Sequence, residues 1–286
     1  MNIDKNTKLI ARLHTGENAT GLNIYNPYFQ DQSLNAVYLL FRGNEPAPLI
    51  QGVRDLNITG AISAGFEHDG TMLDLVDELS EAAKLSGRVG IISNRDGKLY
   101  GHYQGGEGLL AAIKGKTNLS GKKLIIVGAG AVAKTLLLAI CSEQDKPKEI
   151  LIVNRTQKHA EQLKQNFRLV TSIHGLDDLI GIEGDVLINA TRIGSSVRDE
   201  IFTKEIVNKY DVIADVTFGN ENSVLINLAK SEQKLIVTGW DMFTFQVAVV
   251  LRELLSHNAN IDRLRYFVTE GLAITNHGAQ QSEVKD

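Results

Sequence analysis

Apolar residues along the chain fall into two interleaved patterns. Short runs of β-branched and aliphatic residues predict buried strands, and segments with apolar positions three or four apart predict helices. Residues 8–13, 35–41 and 58–63 read as strands, and 46–56 as a short helix with Leu49, Ile50 and Val53 on one side. Residues 72–85 read as a helix carrying Leu73, Val76, Leu79 and Ala83. Residues 89–93 and 98–100 read as a hairpin around Asp96-Gly97, a good turn dipeptide. The glycine-rich run Gly101 to Gly108 then breaks the pattern, a helix follows at 109–113, and the polar stretch 114–122 is the expected domain boundary. Beyond it, apolar strands at 124–127, 149–153, 168–172, 184–189, 212–216 and 235–237 alternate with helical or loop segments, the grammar of βαβ units. A strongly apolar helix spans 243–255, a last helix lies around 263–272, and the tail from Gly278 is expected to fray. The expected fold class is α/β with two domains: residues 1–113, joined by 240–286 packing back on them, and residues 114–239.

Between the first two strands of the second domain stands Gly128-Ala-Gly-Ala-Val-Ala133, a G-x-G-x-x-A turn leading into a helix. This is the fingerprint of a Rossmann dinucleotide-binding domain. Gly128 serves the sharp turn, Gly130 lets the backbone approach a pyrophosphate, and Ala133 keeps the helix close to the strand. The helix start at Ala131 and Val132 offers free N–H groups and a partial positive charge. With Ala129, these are the expected coenzyme contacts. The end of the next strand chooses between coenzymes. An NAD site usually places Asp or Glu there for the ribose 2′-hydroxyl, whereas this chain has Asn154, Arg155, Thr156 and Lys158. A guanidinium grips the 2′-phosphate that a carboxylate would repel, so NADP is expected in preference to NAD. The plainer alternative is that Arg155 and Lys158 form a solvated helix start.

At 286 residues, 43% hydrophobic and 22% charged, the chain has the composition of a globular protein with room for two cores. A net charge of −4 supplies no broad basic field, so neither nucleic acid nor anionic lipid is an expected partner. No apolar run reaches membrane-spanning length, and the polar N-terminal residues do not read as a signal peptide. A cytoplasmic chain is the resulting expectation. Cys141 alone can make neither an intramolecular disulfide nor a zinc cluster, and no metal-ligand spacing appears. The expected partner is a small-molecule substrate. A homodimer is the default for such an enzyme, although no segment marks the interface.

With these motifs in place, the chain resembles the shikimate/quinate dehydrogenase family over nearly its whole length. Val127 to Lys134 resembles the family's glycine loop, and Asn154-Arg-Thr156 its adenosine-phosphate clamp. Asn189-Ala-Thr-Arg-Ile-Gly194 resembles its Asn-Ala-Thr-Ser-x-Gly turn beside the nicotinamide. Gly239-Trp-Asp-Met-Phe-Thr-Phe-Gln246 resembles its Gly-x-x-Met-Leu-x-x-Gln segment, whose Gln reaches the substrate. The resemblance implies an N-terminal substrate domain, a C-terminal NADP-binding domain and a closing helix that returns to the first. It also implies coenzyme contacts at Asn189, Ala190, Thr191 and Gly239, and a substrate contact at Gln246. Asn26 matches the family's His-Asn pair and, with Tyr25, is expected to line the substrate cleft.

The substrate half departs from the family. Where the family has Asn-Val-Thr-x-Pro-x-Lys, with a proton-carrying Lys, this chain reads Ser63-Ala-Gly-Phe-Glu-His-Asp69, which places Asp69 or His68 at the Lys position. The family's Asn-Thr-Asp is replaced by Tyr103-Gln-Gly105, without a carboxylate. Its early Ser-x-Ser, which grips the substrate carboxylate, is missing from residues 18–26, and its Tyr near the nicotinamide is Phe218. Shikimate itself is therefore not the expected substrate.

Hydride transfer needs a proton carrier that titrates near the working pH. Among the substituted residues His68 and His102 suit that role best, because imidazole titrates near neutrality. Asp69 or Glu67 would orient the imidazole or bind a substrate ammonium, with Tyr103 and Gln104 in the second loop. The alternative is that His68-Asp69-Gly70 is only a polar turn and helix cap. The expected function is an NAD(P)-dependent oxidoreductase of a biosynthetic step, acting on another small polar substrate. Two further readings stand beside it: a non-catalytic NADP-binding or regulatory protein, and a lyase or isomerase using the same groups without net redox.

Overall fold

A computed structural model describes residues 3–16, 20–64, 66, 70–193, 201–217 and 223–283, with side chains as far as 275. The chain forms two compact units, Met1–Gln104 with Val247–Asp286, and Gly105–Gln246.

The first unit is built on a six-stranded sheet in the order β2-β1-β3-β5-β6-β4. Its strands are β1 (Lys8–His14), β2 (Ala36–Arg42), β3 (Gly60–Ala64), β4 (Glu78–Leu79), β5 (Ile91–Arg95) and β6 (Lys98–His102). β2, β1 and β3 run parallel; β5 and β6 form an antiparallel hairpin. Asp96 and Gly97 both take positive φ at its turn, as the dipeptide predicts. One face of the sheet buries Ala11, Leu13, Ala61, Ile92 and Leu99 with Ile50 and Val53 of α2 (Pro46–Asp55) and Ala83 of α3 (Glu81–Ser86). Strand alternation sends Ile10, Arg12 and His14 to the opposite face, where Tyr25 of α1 (Thr20–Asp31) stacks on Tyr38 at 4.6 Å.

Two elements of this unit differ from the sequence expectation. No element is expected at residues 20–31, although Ile24, Tyr25, Tyr28 and Phe29 stand at helical spacing, and Pro27 lies inside the helix. Tertiary ties hold α1. The Asn26 amide donates to Tyr38 O (3.0 Å) and accepts from Tyr38 N (2.8 Å), capping the open edge of β2. Gly271 of α10 (Ile261–Glu283) fits against Ile24 and the Asn23 backbone, and Arg263 pairs with Asp31. Residues 72–85, expected as one helix, are a short 3₁₀ turn, then β4, then α3. Val76 is extended, and the Asp77 carboxylate accepts from Leu99 N (2.7 Å) and Arg54 Nη1 (2.8 Å). These anchors draw the chain out to pair with β6 before Ser80 caps α3 through Ala83 N (3.1 Å).

The second unit begins with α4 (Gly105–Lys114). The glycine run was expected to break the pattern, yet Gly105, Gly106 and Gly108 lie inside this helix because they permit close packing. A Cβ at Gly106 would collide with the Thr135 and Leu136 backbone of α5 (Ala131–Ser142). One at Gly108 would lie 2.7 Å from Gln246 Cγ of α9 (Gly239–Leu255). α4 is thereby part of the second unit. The division falls at Gln104/Gly105 and Gln246/Val247, not at the polar stretch 114–122 and Gly239/Trp240.

The sheet of this unit is parallel throughout, with β7 (Lys123–Val127), β8 (Glu149–Val153), β9 (Val170–His174), β10 (Val186–Asn189), β11 (Val212–Asp215) and β12 (Leu235–Val237). Its order β12-β11-β10-β7-β8-β9 is the dinucleotide-binding arrangement read from one edge, with the topological switch between β7 and β10. Leu124, Ile125, Ile126 and Val127 are fully buried, as a central parallel strand requires.

Candidate functional site

The glycine turn stands at the carboxyl end of β7, beside the switch point. Gly128 has φ of 111°, a backbone that L side chains rarely adopt. A Cβ there would lie 2.6 Å from Thr191 Cγ2. Gly128 N donates to Val153 O and Ala190 N to Val127 O, both at 2.8 Å, so the turn and residue 190 are fixed to the ends of neighbouring strands. Gly130 is exposed, and nothing lies within 4 Å of where its Cβ would be. It is the N-cap of α5 and gives no side-chain cap. Helix geometry leaves the first N–H groups, from Ala131 and Val132 onward, pointing into that open space. Ala133 is buried, which keeps α5 against the sheet. A pyrophosphate has room and donors here.

The residues expected to clamp the coenzyme stand in the loop at the end of β8. Asn154 donates its side-chain amide to Thr156 O (2.8 Å), folding the loop and leaving no acid at the strand end. Arg155, Thr156 and Lys158 are exposed. Neither Arg155 nor Lys158 forms an ion pair with another described residue. Thr156 begins α6 (Gln157–Asn166) without a side-chain cap. Two cations and uncapped helix N–H groups suit a 2′-phosphate better than a bare hydroxyl.

Asn189 was expected to touch the nicotinamide. It is 0% exposed, and its amide is used inside the fold. Nδ2 donates to Ile193 O (2.8 Å) and to Asp215 Oδ1 (3.1 Å), while Oδ1 accepts from Thr191 Oγ1 (2.6 Å). Asp215, 1% exposed, also accepts from Thr217 N and Oγ1 through Oδ1 (3.0 and 2.8 Å) and from Ser223 Oγ through Oδ2 (2.6 Å). Ser223 in turn caps α8 (Val224–Ser231) by accepting from Ile226 N. This network ties together residues 189–193, Asp215, Thr217 and Ser223. Ala190 and Thr191 are half-buried in the loop that follows β10. Gly239 is buried at the start of α9, where Thr238 and Asp241 cap each other (3.0 and 3.2 Å). Gln246 is half-buried further along that helix. Thr217 and Ser223 have no place in the sequence expectations. The signal for them is the acid closing an apolar strand, which must find donors once it is buried.

In the first unit, His102 ends β6 and its Nδ1 lies 3.0 Å from Ser80 Oγ. Ser80 already accepts from Ala83 N, so the imidazole is held by the residue that caps α3. Tyr103 is half-buried against the apolar cluster. Gln104 lies over Gly90, where a Cβ would strike Oε1, and that oxygen is buried without a hydrogen-bond partner. Tyr25 is 4% exposed, and burial pushes its hydroxyl well above the usual range. The Asn26 amide is committed to the β2 edge. His68, Asp69, Glu67 and Phe218 lie outside the described residues. Among the described residues no helix is long and apolar enough to cross a membrane, and no three His, Cys, Asp or Glu group to hold a metal.

Residues 110–224 match the family model for shikimate / quinate 5-dehydrogenase. A shikimate dehydrogenase (NADP(+)) of Methanopyrus kandleri is 28% identical over 289 residues, covering 95% of this chain and 98% of the relative. The enzyme of the same name from Pyrococcus abyssi is 29% identical over 225 residues, covering 79% of this chain and 83% of its own. A shikimate dehydrogenase solved in complex with NADP+ superposes with a TM-score of 0.78 at 28% identity, covering 94% of this chain and 97% of the other. The chain is thus similar to the shikimate/quinate dehydrogenases, over residues 110–224 for the family model and over most of its length for the relatives. The α/β fold is that of the solved shikimate dehydrogenase, and the relatives named here are dehydrogenases.

Proposed function

We propose that this chain is an NADP(H)-dependent oxidoreductase of biosynthetic metabolism whose substrate is a small polar molecule other than shikimate. One observation carries the reading: an open glycine turn and an unpaired Arg155/Lys158 clamp are retained, while the sequence has lost the family's Lys and Asp. The relatives named for NADP(+), and the one solved with NADP+, support the choice of coenzyme. Bound NADP supplies or accepts the hydride. The chain's own part is to seat the pyrophosphate on Gly128, Gly130 and the start of α5, and the 2′-phosphate on Arg155 and Lys158. His102, oriented by Ser80, carries the proton of the reacting group, and His68 and Asp69 are the other candidates for that work.

A panel of alcohols, amino acids, ketones and imines, followed at the nicotinamide absorbance, tests the reading. Turnover of at least one of them with NADP(H), and none of shikimate, is expected. His102→Gln is expected to lower kcat by roughly 10²–10⁴-fold while NADPH binding persists. Ready oxidation of shikimate would overturn the substrate assignment. Coenzyme binding without turnover of any panel member would overturn the reaction and favour a regulatory NADP-binding protein.

A further inference from the structure

The first unit holds a second polar cluster, which the coenzyme site does not use. Arg12 and His14 point to one face of β1, and the register of β2 sets Tyr38 beside Ile10 and Arg42 beside His14 on that face. Arg12 Nε and His14 Nδ1 are buried without a hydrogen-bond partner, and the Tyr38 hydroxyl is buried with the Arg12 side chain within reach. His14 is only 5% exposed and Tyr38 is fully buried. Neither Arg12 nor His14 forms an ion pair with another described residue. The groups are near enough to act on one another. Burial, joined by the charges of Arg12 and Arg42, holds the His14 imidazole below its usual pKa against an opposing hydrogen bond with the Gly16 backbone. Burial raises Tyr25 and Tyr38, and the Arg12 charge opposes that rise at both.

Buried donors are normally paired, and unpaired ones mark a missing partner. Nε lies on the side edge of the guanidinium, which can grip a carboxylate or phosphate through two parallel hydrogen bonds. An imidazole and a phenol beside it complete a set that complements an oxyanion and no cation. Along the same face, cross-strand pairs run Arg12, Ile62, Ile91, His102, so the cluster and His102 share one row of the sheet. The geometry points to an oxyanion site at Arg12, His14 and Tyr38 that anchors the carboxylate or phosphate of the substrate. Its backbone stands three strand spacings of about 4.8 Å each from that of His102. Only the word substrate rests on the redox reading; the anion site stands on the first unit alone.

Titration calorimetry of the full chain with inorganic phosphate and with a small monocarboxylate, at matched chloride, tests this and separates the two oxyanions. Binding of one of them above chloride is expected, weakened at least ~10-fold by Arg12→Gln, the loss of one charged hydrogen-bond partner, and less by Arg12→Lys. NADPH titration of the same variants should be unchanged, which reports folding and tests the coenzyme reading separately. Should Arg12→Gln fail to fold, the imidazole resonances of wild-type His14 decide: the saturating anion is expected to shift them and raise the pKa. Absence of anion binding above chloride, undiminished binding in Arg12→Gln, or His14 resonances indifferent to the anion would overturn the proposal.

Discussion

Gly128 shows how much one residue can carry. Its positive φ and its 2.6 Å approach to Thr191 leave no place for a side chain. Gly128→Ala is expected to cost about 1–3 kcal/mol of stability, read as a lower Tm, and to weaken NADPH binding. Arg155→Ala is expected to weaken NADPH roughly 10–100-fold, the worth of a charge-assisted hydrogen bond, and to leave NADH unchanged. Equal losses for both coenzymes would show that Arg155 does not read the 2′-phosphate. The position of the glycine turn at a strand-to-helix junction was legible because it is set by spacing within a few residues. The internal hydrogen bonds of Asn26 and Asn189 were not, because an amide serves a ligand or a backbone equally well and only the fold decides. Each is occupied by its own backbone neighbours, and Asn189 by buried Asp215 as well.

At the level of elements, pattern reading succeeds where local sequence and tertiary demand agree. The strands of the second unit are apolar in themselves and were predicted nearly in place. The segment 71–86 was not, because side-chain anchors on other strands override its local preference, and the apolar spacing of α1 is masked by Pro27 and its polar neighbours. The glycines of α4 mislead for a related reason: they look like a loop but serve contact with α5. Gly106→Ala is expected to destabilise by about 1–3 kcal/mol or more, since backbone, not a flexible side chain, lies in the way. A Tm within a degree of wild type would contradict that account.

The tie between α1 and α10 has a pH signature. The Arg263 guanidinium, with Gln32, holds Asp31 down at about 2, against an ordinary value of 3.8. A depressed carboxylate contributes stability above its unfolded value and loses it as pH falls through the folded one. The Tm difference between wild type and Arg263→Ala should therefore be full at pH 6 and close as the pH falls from about 4 towards 2. A difference independent of pH would assign the effect to packing. Because the pair is exposed, the difference should be small and shrink with salt.

For the whole molecule, the alternation of strands and helices was enough to give the class and the parallel sheet of the second unit, since a βαβ grammar admits few topologies. The division between units was displaced, because a boundary is set by packing of α4 and α9 and leaves no composition signal at Gly105 or Gln246. The proposal joins a coenzyme half like that of the similar dehydrogenases to an altered substrate half. Equilibrium titration of the purified chain with NADPH and with NADH tests that most directly. The account predicts saturable binding of NADPH at least ~10-fold tighter than NADH, the difference coming from charge-assisted contacts to one phosphate. Tighter binding of NADH, or no binding of either, would contradict it.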